Sequence, residues 1–348
     1  MLLRSAETEA DVLGACAAEQ ETPVPRRLAP ATHGSFVEVF GAIAGSIERV
    51  VRGKPEAIEL VLLCLVAEGH VLIEDVPGVG KTSLAKALAT SLDCRWGRIQ
   101  FTPDLLPTDV VGGTVWNRAT GEFDFRPGAI FANLVLGDEI NRASPKTQSA
   151  LLEAMEERQV TVDATTYPLD APFMVLATQN PAEHDGTYPL PQSQLDRFLM
   201  RVTMGYPRRE SELRILETSG GADALDALEP VATAKDVVEM AAAARAVHVA
   251  PSLRGYLVDL AETTRRHHAL ALGMSPRATL ALQRVAQARA AASGRSYVVP
   301  DDVKALAPSV LCHRLELTPE AEMQGVATTD IVDDVLRHVA VPAGGSDR

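Results

Sequence analysis

Apolar positions along the first two thirds of the chain alternate between helical and strand-like spacing. Phe36, Val39, Phe40, Ile43, Ile47 and Val50 fall on one helical face. Val51-Arg52-Gly53-Lys54 interrupts that helix, and Pro55 opens a second one that runs to about Ala67. A short apolar run from His70 leads into a glycine-containing loop, after which Leu84, Ala85, Leu88, Ala89 and Leu92 predict a helix. Further strands are predicted at Arg98–Phe101, from Leu134 to Asp138, at Phe173–Thr178 and at Leu199–Thr203. Continuous apolar runs such as Leu134-Val135-Leu136 suit parallel strands buried on both faces. Two hairpins interrupt the plan. One pairs Gly112–Trp116 with Glu122–Arg126 around a turn at Asn117–Gly121; the other spans Val160–Leu169 with residues 163–166 at its tip. Between them Ser144-Pro145 opens a helix with Leu151, Leu152 and Met155 inward, and Glu153, Glu156, Glu157 and Arg158 on its solvated face.

Past Tyr206 no strand alternation remains, and helices are predicted at about 208–218, 233–247, 251–268, 275–293, 300–312 and 329–340. Thr233 with Asp236 forms a capping pattern, and Ser275-Pro276 starts another helix. The expected organisation is an α/β core over residues 35–205 and a smaller all-helical domain over 206–341. Residues 1–34 and 342–348 show no sustained period and read as disordered or weakly ordered tails.

Composition narrows the class. At 348 residues there is room for two domains, and the net charge of −13 disfavours non-specific binding to nucleic acid or to an anionic membrane. The four cysteines, Cys16, Cys64, Cys94 and Cys312, are widely spaced, which fits reduced thiols better than a disulfide or zinc framework. The longest apolar run, Leu60–Ala67, is too short to span a bilayer, and no secretory signal is apparent. A cytoplasmic protein without membrane insertion is expected.

The loop between the first strand and its helix carries the chemistry. Its residues Pro77, Gly78, Val79, Gly80, Lys81, Thr82 and Ser83 place glycines where backbone N–H groups can close around phosphate oxygens. Lys81 is expected to reach the β- and γ-phosphates, and the Thr82 hydroxyl to ligate Mg²⁺. The full pattern G-x-x-x-x-G-K-[ST] needs glycine where this chain has Asp75. Asp138 and Glu139 end a buried strand, where α/β sheets open their ligand crevice. Asp138 suits the hydration shell of Mg²⁺, and Glu139 suits polarisation of an attacking water. Asn180, after the next strand, offers an amide that can orient that water, although Asn-Pro also initiates turns. Val51 and Gly53 stand between helices that either wall off a nucleotide base or are plain core helices.

Taken together, the loop, Gly137-Asp138-Glu139-Ile140-Asn141-Arg142, Leu151–Val160, Leu195-Asp196-Arg197-Phe198 and Gly273-Met274-Ser275-Pro276-Arg277-Ala278 closely resemble the MoxR family of AAA+ ATPases over about residues 36–340. The resemblance implies a core of five parallel strands with a C-terminal helical lid, and ATP with Mg²⁺ bound between them. Lys81 and Thr82 then match Walker A, Asp138 and Glu139 match Walker B, and Asn180 matches sensor 1. Arg197 matches an arginine finger that reaches the nucleotide of the next subunit, and Arg277 matches sensor 2 on the lid. Val51 and Gly53 lie where such proteins wrap the adenine. The hairpins correspond to the helix-2 insert and the pre-sensor-1 hairpin, which in related machines face a central pore or a substrate.

The resemblance further implies a homo-oligomeric ring, expected to be a hexamer, that remodels or matures a protein client or metal-cofactor complex. Such clients include von Willebrand factor A-domain proteins. The alternatives are a nucleic-acid motor, for which no basic strip with stacking aromatics is visible, and a nucleotide-gated scaffold with little turnover, which the intact Asp138-Glu139 pair disfavours.

Overall fold

The computed structural model describes residues 33–76, 78–180, 186–207, 209–217 and 222–342. Pro77 of the loop, residues 1–32 and residues 343–348 lie outside the described residues.

The first element among the described residues is α1 (His33–Glu48), which therefore begins inside the segment expected to be a tail. It buries Phe36, Val39, Phe40, Ile43 and Ile47, as their spacing requires. Next, α2 (Pro55–Val66) starts on proline, whose missing N–H costs nothing in a first turn. Residues Val61 through Val66 are all buried, because α2 packs between α1 and helices from the far end of the chain. Then follow β1 (Val71–Glu74), α3 (Lys81–Ser91) and β2 (Trp96–Gln100). A short α4 (Pro107–Val111), not foreseen from its turn-like residues, precedes the hairpin β3 (Gly112–Asn117) and β4 (Glu122–Pro127). After β5 (Leu134–Asp138) and a 3-10 turn at Ile140–Arg142 comes α5 (Pro145–Glu157), capped by Ser144. The second hairpin is β6 (Gln159–Val162) and β7 (Thr165–Pro168). Its turn is Asp163-Ala164 alone, both at positive φ, so Thr165 and Thr166 lie in the returning strand and not at the tip. The sheet is completed by β8 (Met174–Gln179) and, past a short α6 (Gln192–Leu195), β9 (Met200–Val202).

The five long-range strands pair in the order β2-β5-β8-β1-β9, every pair parallel. Their side chains alternate between two cores. Val71, Ile73, Leu134, Leu136, Met174 and Leu176 face α1–α3, whereas Leu72, Val135, Val175 and Ala177 face α5. In register, Gln100 stands beside Asp138 and Glu74 beside Gln179, so the strand ends converge on one edge.

The remaining chain is α7 (Arg209–Glu217), α8 (Ala222–Asp226), α9 (Ala234–Arg245), α10 (Pro251–Arg265), β10 (Leu270–Leu272), α11 (Pro276–Ala292), α12 (Pro300–Leu311), β11 (Glu316–Leu317), α13 (Pro319–Met323) and α14 (Thr328–His338). The small β10-β11 ribbon departs from an entirely helical reading; two or three residues are too few to show alternation in sequence. This helical part shares one hydrophobic core with α1, α2 and the α1–α3 face of the sheet.

Candidate nucleotide site

The loop after β1 has the backbone its glycines suggest. Gly78 and Gly80 sit at φ of 85° and 96°, a region costly for residues with a Cβ. Gly80 is the N-cap of α3, and no side chain caps that first turn. The helix therefore presents its leading N–H groups and positive dipole end at the loop, the arrangement that binds phosphate. Lys81, the first helical residue, donates from Nζ to the Asp75 carbonyl at 2.9 Å.

Across the crevice, the end of β5 is organised by Thr178 of β8. Its hydroxyl donates to Asp138 Oδ1 (2.7 Å) and accepts the Glu139 N–H (2.9 Å). Glu139 adopts a left-handed backbone at φ 59°, ψ 50°, a conformation that costs a non-glycine residue about 1–3 kcal/mol. The Thr178 bond helps hold it there. Asp138 Oδ2 accepts from Arg98 Nη2 at 2.7 Å. Glu139 Oε2 accepts from Arg142 Nη1 (3.0 Å) and from Gln100 Nε2 (3.1 Å). Asn180, buried, follows β8 directly on the same edge of the sheet. Lys81, Asp138, Glu139 and Asn180 thus gather at the strand ends. Thr178, Arg98, Gln100 and Arg142 were missed in the sequence; a threonine closing an otherwise apolar strand was the one readable signal.

Val51 and Gly53, the residues expected to wrap the base, lie between α1 and α2. Val51 is buried, and Gly53 sits at φ 74° where a Cβ would collide with the Ser211 hydroxyl. Beside it Lys54 Nζ donates to the carbonyls of Met204, Gly205 and Tyr206.

The two arginines lie elsewhere. Arg197 Nε stands 3.3 Å from Glu156 Oε2, and Arg277 Nη2 2.5 Å from Glu156 Oε1. Glu156 follows Met155, whose carbonyl faces His70 Nε2 at 3.0 Å, and His70 precedes β1. The cluster therefore sits at the edge where strands begin, opposite the phosphate loop, with the length of β1 (about 10 Å) between them. Glu156, read as part of a solvated face, instead collects both guanidinium groups. Arg158, placed on the same face, reaches back to the Glu68 carbonyl at 2.7 Å.

The helical part holds the Arg197 segment from behind. Arg314, only 4% exposed, donates through Nη2 to the Phe198 carbonyl at 2.7 Å and to that of Asp196 at 3.3 Å. Its Nε stands 3.3 Å from Asp196 Oδ1, an ion pair without hydrogen-bond alignment. Burial lowers the Arg314 pKa to about 10, with Asp196 opposing the shift. His313 Nε2 lies 3.0 Å from the Phe198 carbonyl, and burial pushes its pKa down to about 3, so the ring is neutral. A cavity of about 520 Å³ opens beside Arg197, lined by Ser149, Leu152, Glu153, Glu157 and Gln194 among others.

Comparison with known proteins gives the family. Residues 70–200 match the model of the ATPase family associated with various cellular activities (AAA), and residues 262–335 match the AAA lid domain. The chain is 40% identical to Chaperone MoxR1 of Mycobacterium tuberculosis, over 85% of this chain and 80% of that protein. It is 32% identical to Protein MoxR of Methylorubrum extorquens, over 85% of this chain and 93% of that one. The chain belongs to the MoxR family of AAA+ ATPases. YeaC of Bacillus subtilis is 49% identical over 87% of this chain and 95% of its own length. Among solved structures, a Cytophaga hutchinsonii protein described as an ATPase superposes with a TM-score of 0.84 at 39% identity, covering 89% of this chain and 97% of that one. In this MoxR-family AAA+ ATPase the α/β sheet lies within the AAA match, apart from the last two residues of β9, and residues 262–335 of the helical part are the AAA lid.

Proposed function

We propose that this chain hydrolyses ATP as a homo-oligomeric ring, a hexamer in the simplest form. Turnover would be coupled to remodelling or maturing a protein client or metal-cofactor complex. The observation that carries this reading is the separation of Arg197 and Arg277 from the phosphate loop by the length of the sheet. A chain built this way offers nucleotide on one edge and two γ-phosphate-directed arginines on the other. Head-to-tail association brings the two edges together, and a rotation that closes gives a ring.

Residues suited to each step are in place. The open first turn of α3 and the left-handed glycines suit a triphosphate. The hard oxygen donors of Thr82 and Asp138 would suit Mg²⁺, which when bound would supply positive charge against that of a triphosphate. Glu139, fixed by Thr178, is suited to orient the attacking water with Asn180 beside it. Lys81 and, from the neighbour, Arg197 and Arg277 would balance charge developing on the γ-phosphoryl group. In the free chain Glu156 holds those arginines. Arg277 and Glu156 keep about 45% and 36% of their side-chain surface exposed. An ion pair so exposed contributes only about 0.2–1 kcal/mol, so a triphosphate can replace the carboxylate at small cost.

The relative named Chaperone MoxR1 supports a protein client, and a von Willebrand factor A-domain partner follows from the family resemblance alone. No helix among the described residues is long and apolar enough to cross a membrane, and a cytoplasmic site of action is part of the proposal. The test is ATP turnover against protein concentration, with mass measured in parallel, for wild type, Arg197→Ala, and Arg197→Ala mixed with Lys81→Ala. Specific activity should rise as rings form, and the two inactive variants should rescue each other. Activity independent of concentration and insensitive to Arg197→Ala would overturn the ring.

A further inference from the structure

Asp75 occupies the position where the complete phosphate-loop pattern has glycine, and the structure shows what its side chain does. The residue is 8% exposed, and its carboxylate is directed to backbone N–H groups. Oδ2 accepts from Met204 N (2.6 Å) and Gly205 N (2.5 Å), and Oδ1 accepts from Val76 N (3.0 Å). Its own N–H donates to the Gln179 carbonyl, one residue before Asn180, and its carbonyl accepts from Lys81 Nζ. The segment whose N–H groups it holds is held again through its carbonyls. Lys54 Nζ donates to the carbonyls of Met204 (2.6 Å), Gly205 (2.9 Å) and Tyr206 (2.5 Å). Lys54 directly follows Gly53 on the base side of the site, and Asp75 leads into the loop on the phosphate side.

We propose that Asp75 and Lys54 are positioning residues that lock the base side and the phosphate side of the nucleotide site into one unit through Met204-Gly205-Tyr206. The inference rests on the nucleotide-site reading above. Its physical content is preorganisation. Two half-sites at a fixed separation bind a linked ligand far better than the same half-sites free to shift, whereas each half alone binds equally well either way. A glycine at 75 would leave the loop attached to the sheet and remove its tie to residues 204–206. Asparagine would offer one oxygen in place of two to the three N–H groups now served, and would turn a donor toward one of them.

The test is displacement of a fluorescent ATP analogue from the full-length chain by ATP, by adenosine and by inorganic tripolyphosphate. It is run for wild type, Asp75→Asn, Lys54→Met and the double variant. ATP affinity should fall about tenfold in each single variant, as expected for lost preorganisation. The double variant should be little worse than either, because both act through one segment. Adenosine and tripolyphosphate should each compete as they do with wild type. ATP affinity unchanged in both single variants would overturn the proposal. So would a loss of tripolyphosphate binding equal to the loss of ATP binding, which would mean local damage to the loop. Should Asp75→Asn fail to fold, Lys54→Met carries the same comparison. Wild type that does not bind the analogue at all would refute the nucleotide site itself, a result distinct from either of those.

Discussion

Arg277 provides a decisive perturbation, because its place beside Arg197 on Glu156 predicts that both arginines act on the same neighbouring nucleotide. A productive site then needs Lys81 from one chain, and Arg197 with Arg277 from the next. Suppose Lys81→Ala and Arg277→Ala are mixed equally at a dilution where rings are apart, then concentrated. At any interface the loop donor must be the Arg277→Ala chain and the arginine donor the Lys81→Ala chain. Random ordering satisfies this at about one interface in four around a head-to-tail ring, so turnover should recover to about a quarter of wild type. Losing a charge-assisted contact of about 1.5–3 kcal/mol leaves the single variants about ten- to a hundredfold slow, so that recovery is readily seen. Mixing Arg197→Ala with Arg277→Ala should recover nothing, since no chain in the mixture carries both arginines. A lid arginine serving its own chain reverses both results: the first mixture stays inactive and the second recovers. Steady-state phosphate release with mass photometry on the same samples decides between them. The reversed pattern would refute the reasoning from Glu156.

Three further outcomes follow from named contacts. Thr178→Val removes the hydroxyl that serves both Asp138 and the Glu139 N–H, so turnover should fall at least tenfold, with a stability loss of about 0.5–1.5 kcal/mol for the lost part-buried hydrogen bond; unchanged turnover in phosphate release would remove Thr178 from the site. Glu139→Gln should reduce turnover by about 10²–10⁴ while ATP still binds; equal losses of binding and turnover in a nucleotide titration would deny Glu139 its role toward water. His70 and His313 are buried and neutral, with pKa values pushed down to about 4 and about 3, chiefly by burial. Unfolding lets both take up protons as pH drops below about 6.5, so stability should be full above that value and decline below it, by about 1.4 kcal/mol per pH unit for each ring. Urea midpoints between pH 7 and 5 measure this, and a flat profile would show the rings to be solvated.

What the sequence made legible is what lies close together along it. The phosphate loop, the Asp138-Glu139 strand end and the five strands of the sheet are contiguous patterns with a local cause: φ above zero for Gly78 and Gly80, and burial on both faces for Leu134–Leu136. The partners of those residues are not contiguous with them. Arg98 and Gln100 reach Asp138 and Glu139 because β2 pairs with β5 in a register that sets Gln100 against Asp138, and no spacing within either strand encodes that register. Glu156 looked solvated for a related reason. Its helix does present it outward, and only the folding of Arg197 from one side and Arg277 from the lid gives it partners. Asp75 is the instructive case. As a letter it reads as a defect in the loop pattern, yet its carboxylate spans 129 positions to Met204 and meets a segment that Lys54 holds through its carbonyls. A local motif fixes which backbone must cradle phosphate. The residues that keep such a cradle aligned with the rest of the site are chosen by tertiary contact, and there a departure from the pattern is the most informative position in it.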